Sequence, residues 1–516
     1  MSEVKSVFKT VSMITIFSVI TRLFGFIFRI FLSRKLGAEG LGVYQISASV
    51  MGIFMTLVAS GLPLVTAKLC AKYDHTKEMD KKNITVTSAT IIALIISLVS
   101  TAVIVLFQGA FIKFLDNSLV VELMLLMCPA IIFSAVYAVF RGALWGKNSF
   151  FWVSFTELLE QIVRLVLTFI MLYSVKDMFT ATRITAKAFS ITCLVSALLV
   201  AIVYFIDGGR LKFKRGYYKP LIKSSAPITG VRIASSLIQP LTATLIPMLL
   251  VSIGYTSSQA ISEYGILMGM TFPLLFVPLS VVGSLSMVLV PKISTLKVSN
   301  KYDEIAHNIE NSINTSLFLS MLLIPLFISV GDLIGIVLFN NLQAGIYLQL
   351  SAVSILPIVI SNITSSVMNA LSLETKSFVN YIIGSVVMFA CLFVFTPLVG
   401  INSVIVAFFL SMSVTAILNF RTIKKEVPSL SYKLLFNLFR YAIILVPTSL
   451  IGHFVSNIVY HYLPAFVAGI IGGGLSMILT LALIQMFNIY TAPLNTLKNI
   501  FKRKKLIQNA NNANNH

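Results

Sequence analysis

The chain has 516 residues, 57% of them hydrophobic and 11% charged, with a mean hydropathy of +0.93. A soluble domain carries about a quarter charged residues, so one large soluble domain is excluded, and 38 Phe, 19 Met and 17 Tyr exclude a disordered or fibrous chain. The net charge of +21 is not gathered on any soluble module, which excludes nucleic-acid binding and fits the Lys- and Arg-rich cytoplasmic loops of a membrane protein.

Fourteen apolar stretches follow one another at 10–32, 42–68, 84–107, 119–140, 150–173, 184–205, 224–252, 263–291, 312–335, 346–371, 378–398, 402–420, 434–457 and 464–488. Each approaches the roughly 20 residues that a spanning helix needs. Barrel strands would be shorter and alternate in polarity, so the expectation is an all-α polytopic membrane protein of about 14 transmembrane helices. The first stretch runs on into Arg22 and Arg29 with no small-residue cleavage site, so no cleavable signal peptide is expected.

Ionisable residues within spans are costly, and each is a candidate for function. On span one, Arg22 and Arg29 are seven apart and share a helix face with Ser18 and Gly25. Span five carries Glu157, Glu160, Gln161 and Arg164. Glu160 and Arg164 are placed to neutralise each other at i, i+4. Glu157 then needs a cation from another helix, a proton or water, and Arg22 or Arg232 could supply the charge. The connection 206–223 is the most basic and reads as a cytoplasmic linker between two lobes. Span seven follows with Arg232, Ser235, Ser236 and Gln239 at helical spacing, and its Pro227, Gly230 and Pro240 predict a bent or broken helix. Span eight adds Pro273 and Pro278. Span ten has Ser361, Asn362, Ser365, Ser366 and Asn369, which read first as an interhelical hydrogen-bond seam and otherwise as a ligand face. A basic, then Asn-rich tail, 489–516, closes the chain.

If the spans alternate, the connections on the side of the termini hold 27 Lys and Arg, and those on the opposite side hold 5. The asymmetry places both termini in the cytoplasm of a cell membrane. No enzyme signature is present. Gly142 to Ser149 only approximates a phosphate loop, with its glycines one residue too close. Five scattered His and four distant Cys indicate neither a metal site nor a disulfide framework, so no cofactor is expected.

The run Ile20-Thr21-Arg22-Leu23-Phe24-Gly25-Phe26-Ile27-Phe28-Arg29, continued by Leu36-Gly37-Ala38-Glu39-Gly40-Leu41-Gly42-Val43-Tyr44, resembles the polysaccharide-transport branch of the multidrug/oligosaccharidyl-lipid/polysaccharide flippase superfamily, within its stage V sporulation protein B group. Gly61-Leu62-Pro63, Glu160-Gln161-Ile162-Val163-Arg164 and Val290-Pro291-Lys292-Ile293 support the match. The resemblance implies two pseudo-symmetric six-helix lobes, 1–205 and 224–420, forming a V around a cationic cavity. Two additional helices within 434–488 would pack at the side. It also implies export of an undecaprenyl-pyrophosphate-linked saccharide, lipid II or a related peptidoglycan or spore cortex precursor, with membrane lipids and cell-wall synthesis proteins as partners.

The related lipid II flippases carry cavity arginines on spans one, two and eight. Arg22 matches the first, and Arg29 lies one residue from a second such position. Spans two and eight lack them, and Arg232 is the candidate replacement. The reading is therefore substrate binding by Arg22, Arg29, Arg232 and Gln239, with Glu157, Glu160 and Arg164 as gate or coupling residues. A guanidinium suits phosphate because its planar fork donates two parallel hydrogen bonds. The alternative is a cation-coupled multidrug exporter of the same superfamily, whose cavity should be acidic or aromatic.

Overall fold

The computed structural model describes residues 2–214, 218–431 and 433–487, and all their regular structure is helical. The expected tail, 489–516, lies outside the described residues. In chain order the α-helices are α1 (Ser2–Ala59), α2 (Gly61–His75), α3 (Met79–Leu106), α4 (Gln108–Leu115), α5 (Ser118–Gly146), α6 (Phe150–Leu172), α7 (Met178–Ile206), α8 (Tyr218–Ser236), α9 (Ile238–Ser252), α10 (Ser257–Tyr264), α11 (Phe272–Leu275), α12 (Val277–Val298), α13 (Tyr302–Ile334), α14 (Leu342–Ser351), α15 (Ile355–Ala370), α16 (Glu374–Val399), α17 (Asn402–Glu426), α18 (Lys433–Tyr460) and α19 (Ala465–Met486). Among the described residues, 11 helical runs are long and apolar enough to cross a membrane. The first, Met13–His75, takes in two of the expected stretches. The stretch 150–173 falls on α6, which carries three charges, and 263–291 is divided over α10, a π-turn, α11 and α12.

The chain divides after Met270 into two compact units. This boundary does not coincide with the linker at 206–223, because α8, α9 and α10 pack against α1. That linker is itself partly folded onto the first unit. Lys147 pairs with Asp207 at 2.8 Å, Lys212 pairs with Asp80 at 2.5 Å, and the Arg210 N–H donates to Asn83.

α1 is broken once, at Gly37, whose φ of 64° and ψ of −172° are open essentially to glycine alone. Helix resumes at once, so the expected loop between spans one and two is a single-residue break. Beyond it α1 lies so close to α10 that a Cβ on Gly42 would overlap the Ile261 carbonyl, and one on Gly265 would overlap that of Ala38. In span seven, α8 and α9 meet at Leu237, where the backbone keeps helical φ of −67° and ψ of −26°, so the expected break is no more than a local lapse in the hydrogen-bond ladder ahead of Pro240. In span eight, a π-turn over Gly265–Thr271 precedes Pro273. Proline lacks the N–H and crowds the carbonyl four residues back, and the wider turn relieves both problems.

The second unit is built on α13 and α15. Asn380 donates to Asn419 at 2.9 Å, and Asn419 donates to Ser365 at 3.0 Å and to Thr364 at 3.3 Å, tying α15, α16 and α17 together. Part of the span-ten stripe is therefore a hydrogen-bond seam, while Asn362 and Asn369 are exposed. α13 is broken at Val330 (φ −133°). The break would strand the Ser329 carbonyl, and α18 captures it: the oxygen accepts from His453 Nδ1 at 3.0 Å and from the Ser456 hydroxyl at 3.2 Å.

Candidate functional site

Helices α1 and α6 run side by side in the first unit. Phe17 meets Phe151 and Phe31 meets Phe169, with ring centroids 5.8 and 5.5 Å apart. Contacts rising together along both chains make the helices parallel, as the first and fifth of alternating spans must be. Between these ring pairs, Gln161 Oε1 lies 3.8 Å from where a side chain on Gly25 would begin. The Arg22–Gly25–Arg29 stripe of α1 therefore faces the polar stripe of α6, and the missing side chain at Gly25 leaves room for the Gln161 amide.

On α6 the expected pair is present. Arg164 Nη2 donates to Glu160 Oε1 at 2.6 Å, and the guanidinium lies 5.4 Å from the centroid of the Phe189 ring on α7. Glu157 is also paired, but neither with Arg22 nor with Arg232: its partner is Arg141 on α5. The apolar run of span four ends at Phe140, one residue short of Arg141. The helix continues to Gly146 and presents Arg141 to α6. Tyr137, one turn before Arg141, is within electrostatic reach of both ion pairs, and Tyr44 of α1 is within reach of Arg29 and Arg164. The Nε atoms of Arg141 and Arg164 are buried without an acceptor among the described residues.

Arg141 and Arg164 are thus held by carboxylates, and so is Arg183, whose Nε and Nη2 reach the two oxygens of Glu122 at 2.6 and 2.9 Å. Arg22, Arg29 and Arg232 are different. All three are exposed, and none has a hydrogen bond or ion pair among the described residues. An unpaired guanidinium in hydrocarbon costs about 2.5–3.5 kcal/mol on insertion scales, so these side chains call for water or an anion. Arg232 sits on α8, which packs on α1, the helix of Arg22 and Arg29. Gln239, exposed two residues past Leu237, follows on α9. Among the described residues no group of three or more His, Cys, Asp or Glu could hold a metal ion.

The family model described as "Polysaccharide biosynthesis protein" matches residues 7–297. Stage V sporulation protein B of Bacillus subtilis (strain 168) is 25% identical over 431 residues, covering 79% of this chain and 82% of that one. Lipid II flippase MurJ of the same organism is 21% identical over 477 residues, covering 85% and 86%. Among solved structures, that of "Lipid II flippase MurJ, inward closed conformation" superimposes with a TM-score of 0.70 at 15% identity, covering 92% of this chain and 99% of that one. The fold is shared along nearly the full length.

Proposed function

The chain belongs to the polysaccharide biosynthesis protein family, and on that premise we propose that it is a flippase for a lipid-linked saccharide rather than an enzyme. The observation that carries this reading is the division of the arginines. Arg141, Arg164 and Arg183 are neutralised by carboxylates, while Arg22, Arg29 and Arg232 have no ion pair among the described residues. A set of unneutralised guanidiniums suits a pyrophosphate, which accepts paired charge-assisted hydrogen bonds. The likeness to stage V sporulation protein B and to a lipid II flippase supports an undecaprenyl-pyrophosphate-linked saccharide as the cargo, a peptidoglycan or spore cortex precursor.

In this scheme Arg22, Arg29 and Arg232 hold the pyrophosphate and Gln239 contacts the head group. Glu157, Glu160 and Arg164 form the gate. Both termini and the connection 206–223 lie in the cytoplasm, and the lobes 1–205 and 224–420 alternate in access. Moving two negative charges outward through ~100 mV of inside-negative potential releases roughly 4.6 kcal/mol, which drives export without ATP. A cation exporter would need carboxylates free to take cations, and here Glu157 and Glu160 are held by Arg141 and Arg164.

Depletion of the protein tests the reading. The expected result is accumulation of a lipid-linked saccharide precursor on the inner leaflet. Sensitivity to cationic drugs with normal precursor levels would reverse it.

A further inference from the structure

A groove of about 680 Å³ opens where α2, the junction of α5 with α6, and the start of α8 meet. It lies in the first unit, and Arg22, Arg29 and Arg232 are not among its lining residues. Its polar lining is Lys68, Asn148 and Ser224, its apolar lining includes Leu64, Trp145 and Phe150, and no carboxylate among the described residues lines it. Lys68 is exposed and has no hydrogen bond or ion pair among the described residues. Lys72 follows one turn later on the same face of α2, and Lys223 precedes Ser224 on α8.

The walls are fixed by close packing. A Cβ on Gly146 would overlap the Ala67 carbonyl, so α5 and α2 meet backbone to backbone beside the groove. Its level in the bilayer is marked by aromatics. Both tryptophans of the chain, Trp145 and Trp152, lie at this end of α5 and α6. Trp145 packs edge-on to Phe150, and Phe151 stacks on Phe155. Such clusters sit at the boundary between hydrocarbon and head groups.

We propose that this groove binds one anionic phospholipid of the surrounding bilayer. Its phosphate would meet Lys68 and the Ser224 hydroxyl, and its acyl chains would leave over the exposed Leu64. A neutral head group would leave Lys68 without a counter-charge in a groove that holds only cationic and neutral groups. The volume lies within the ~300–1,000 Å³ of small-ligand sites. The proposal is independent of the transported cargo, because it needs neither Arg22 nor the lipid-linked saccharide.

The test uses the full chain in nanodiscs of phosphatidylcholine with or without phosphatidylglycerol, with no saccharide lipid present. Native mass spectrometry counts the lipid retained. One phosphatidylglycerol should be retained in preference to phosphatidylcholine, and Lys68→Gln should weaken that retention about fivefold, the worth of one interfacial cation. Lys212→Gln, on the connection between α7 and α8, should leave it unchanged, and circular dichroism should show both variants fully helical. Equal retention of the two lipids, or retention unaltered by Lys68→Gln, overturns the proposal. Stoichiometric displacement by an added polyprenyl-pyrophosphate saccharide would also overturn it, by assigning the groove to the cargo.

Discussion

Arg141 on α5 is ion-paired with Glu157 on α6, so the carboxylate that looked unpaired in its own span is neutralised by the neighbouring helix. The two side chains are 36% and 37% exposed, placing the pair between a surface bridge and a buried one. Arg141→Ala should therefore cost about 1–3 kcal/mol of stability by leaving Glu157 alone. Arg141→Leu combined with Glu157→Leu should recover the stability. If the pair gates transport, the double variant folds and does not transport. Thermal denaturation with a transport assay separates the two effects, and a fully active double variant would reduce the pair to scaffolding.

Arg22→Ala should insert and fold normally but lower transport roughly 10- to 100-fold, the worth of a charge-assisted hydrogen bond to phosphate. Arg22→Lys should recover only part of the activity, because a point charge lacks the bidentate fork. Complementation of a flippase-deficient strain reads this directly, and full complementation by Arg22→Ala removes Arg22 from the site.

The break in α1 predicts a graded glycine series. Gly37→Ala forces a side chain into a conformation that only glycine adopts readily, at about 1–3 kcal/mol. Gly42→Ala drives a methyl into the Ile261 carbonyl, at about 1–3 kcal/mol from overpacking. Gly52→Ala meets nothing within 4 Å and should be neutral or slightly stabilising. Melting temperatures of the three purified variants decide it. Equal melting temperatures would mean the break is not a constraint.

Lys214 is exposed on the connection between α7 and α8, so Lys214→Cys should be labelled by an impermeant thiol reagent only from the cytoplasmic side. Cys70, Cys128 and Cys193 are buried, and the half-buried Cys391 is replaced by Ser to keep the background low. Labelling from outside would invert the whole topology.

Asp177 caps α7: the Thr180 hydroxyl and backbone N–H donate to its carboxylate, at 2.7 Å from the N–H, and hold it below the usual aspartate value. Its contribution to stability is therefore present above pH ~3.8 and is lost as the pH falls through the lower folded value. The effect should be small, since the group is solvated. Asp177→Asn keeps a cap and should flatten this part of the profile, whereas Asp177→Ala should lower stability at neutral pH as well. Melting temperature against pH between 2 and 6 is the measurement, and an unchanged slope in Asp177→Asn rules out the linkage.

Span positions and the Glu160–Arg164 pair were legible because each depends on local pattern: apolar length and i, i+4 spacing. The partner of Glu157 was not. Sequence spacing says that a carboxylate needs a cation but not which helix brings it, and Arg141 lay just past the last apolar residue of span four. The break at Gly37 was hidden differently. A polar stretch with two glycines reads as a loop, yet helix continues on both sides of one permissive residue. The division of the units after Met270 was equally invisible, because it depends on α8, α9 and α10 packing back on α1.

The carbonyl of Ser329 gives α18 a role beyond covering a surface. Where α13 breaks, an oxygen loses its place in the helical ladder at a depth where lipid offers no donor. His453 and Ser456 supply that donor from a helix more than a hundred residues later. A chain shortened to Glu426 would retain α1 to α17 and still leave the Ser329 carbonyl without either donor. In apolar surroundings α13 would either straighten, moving the π-turn Gly335–Phe339 that follows it, or admit water. The last two helices thus act as an external splint that sets the shape of a helix they were not built beside.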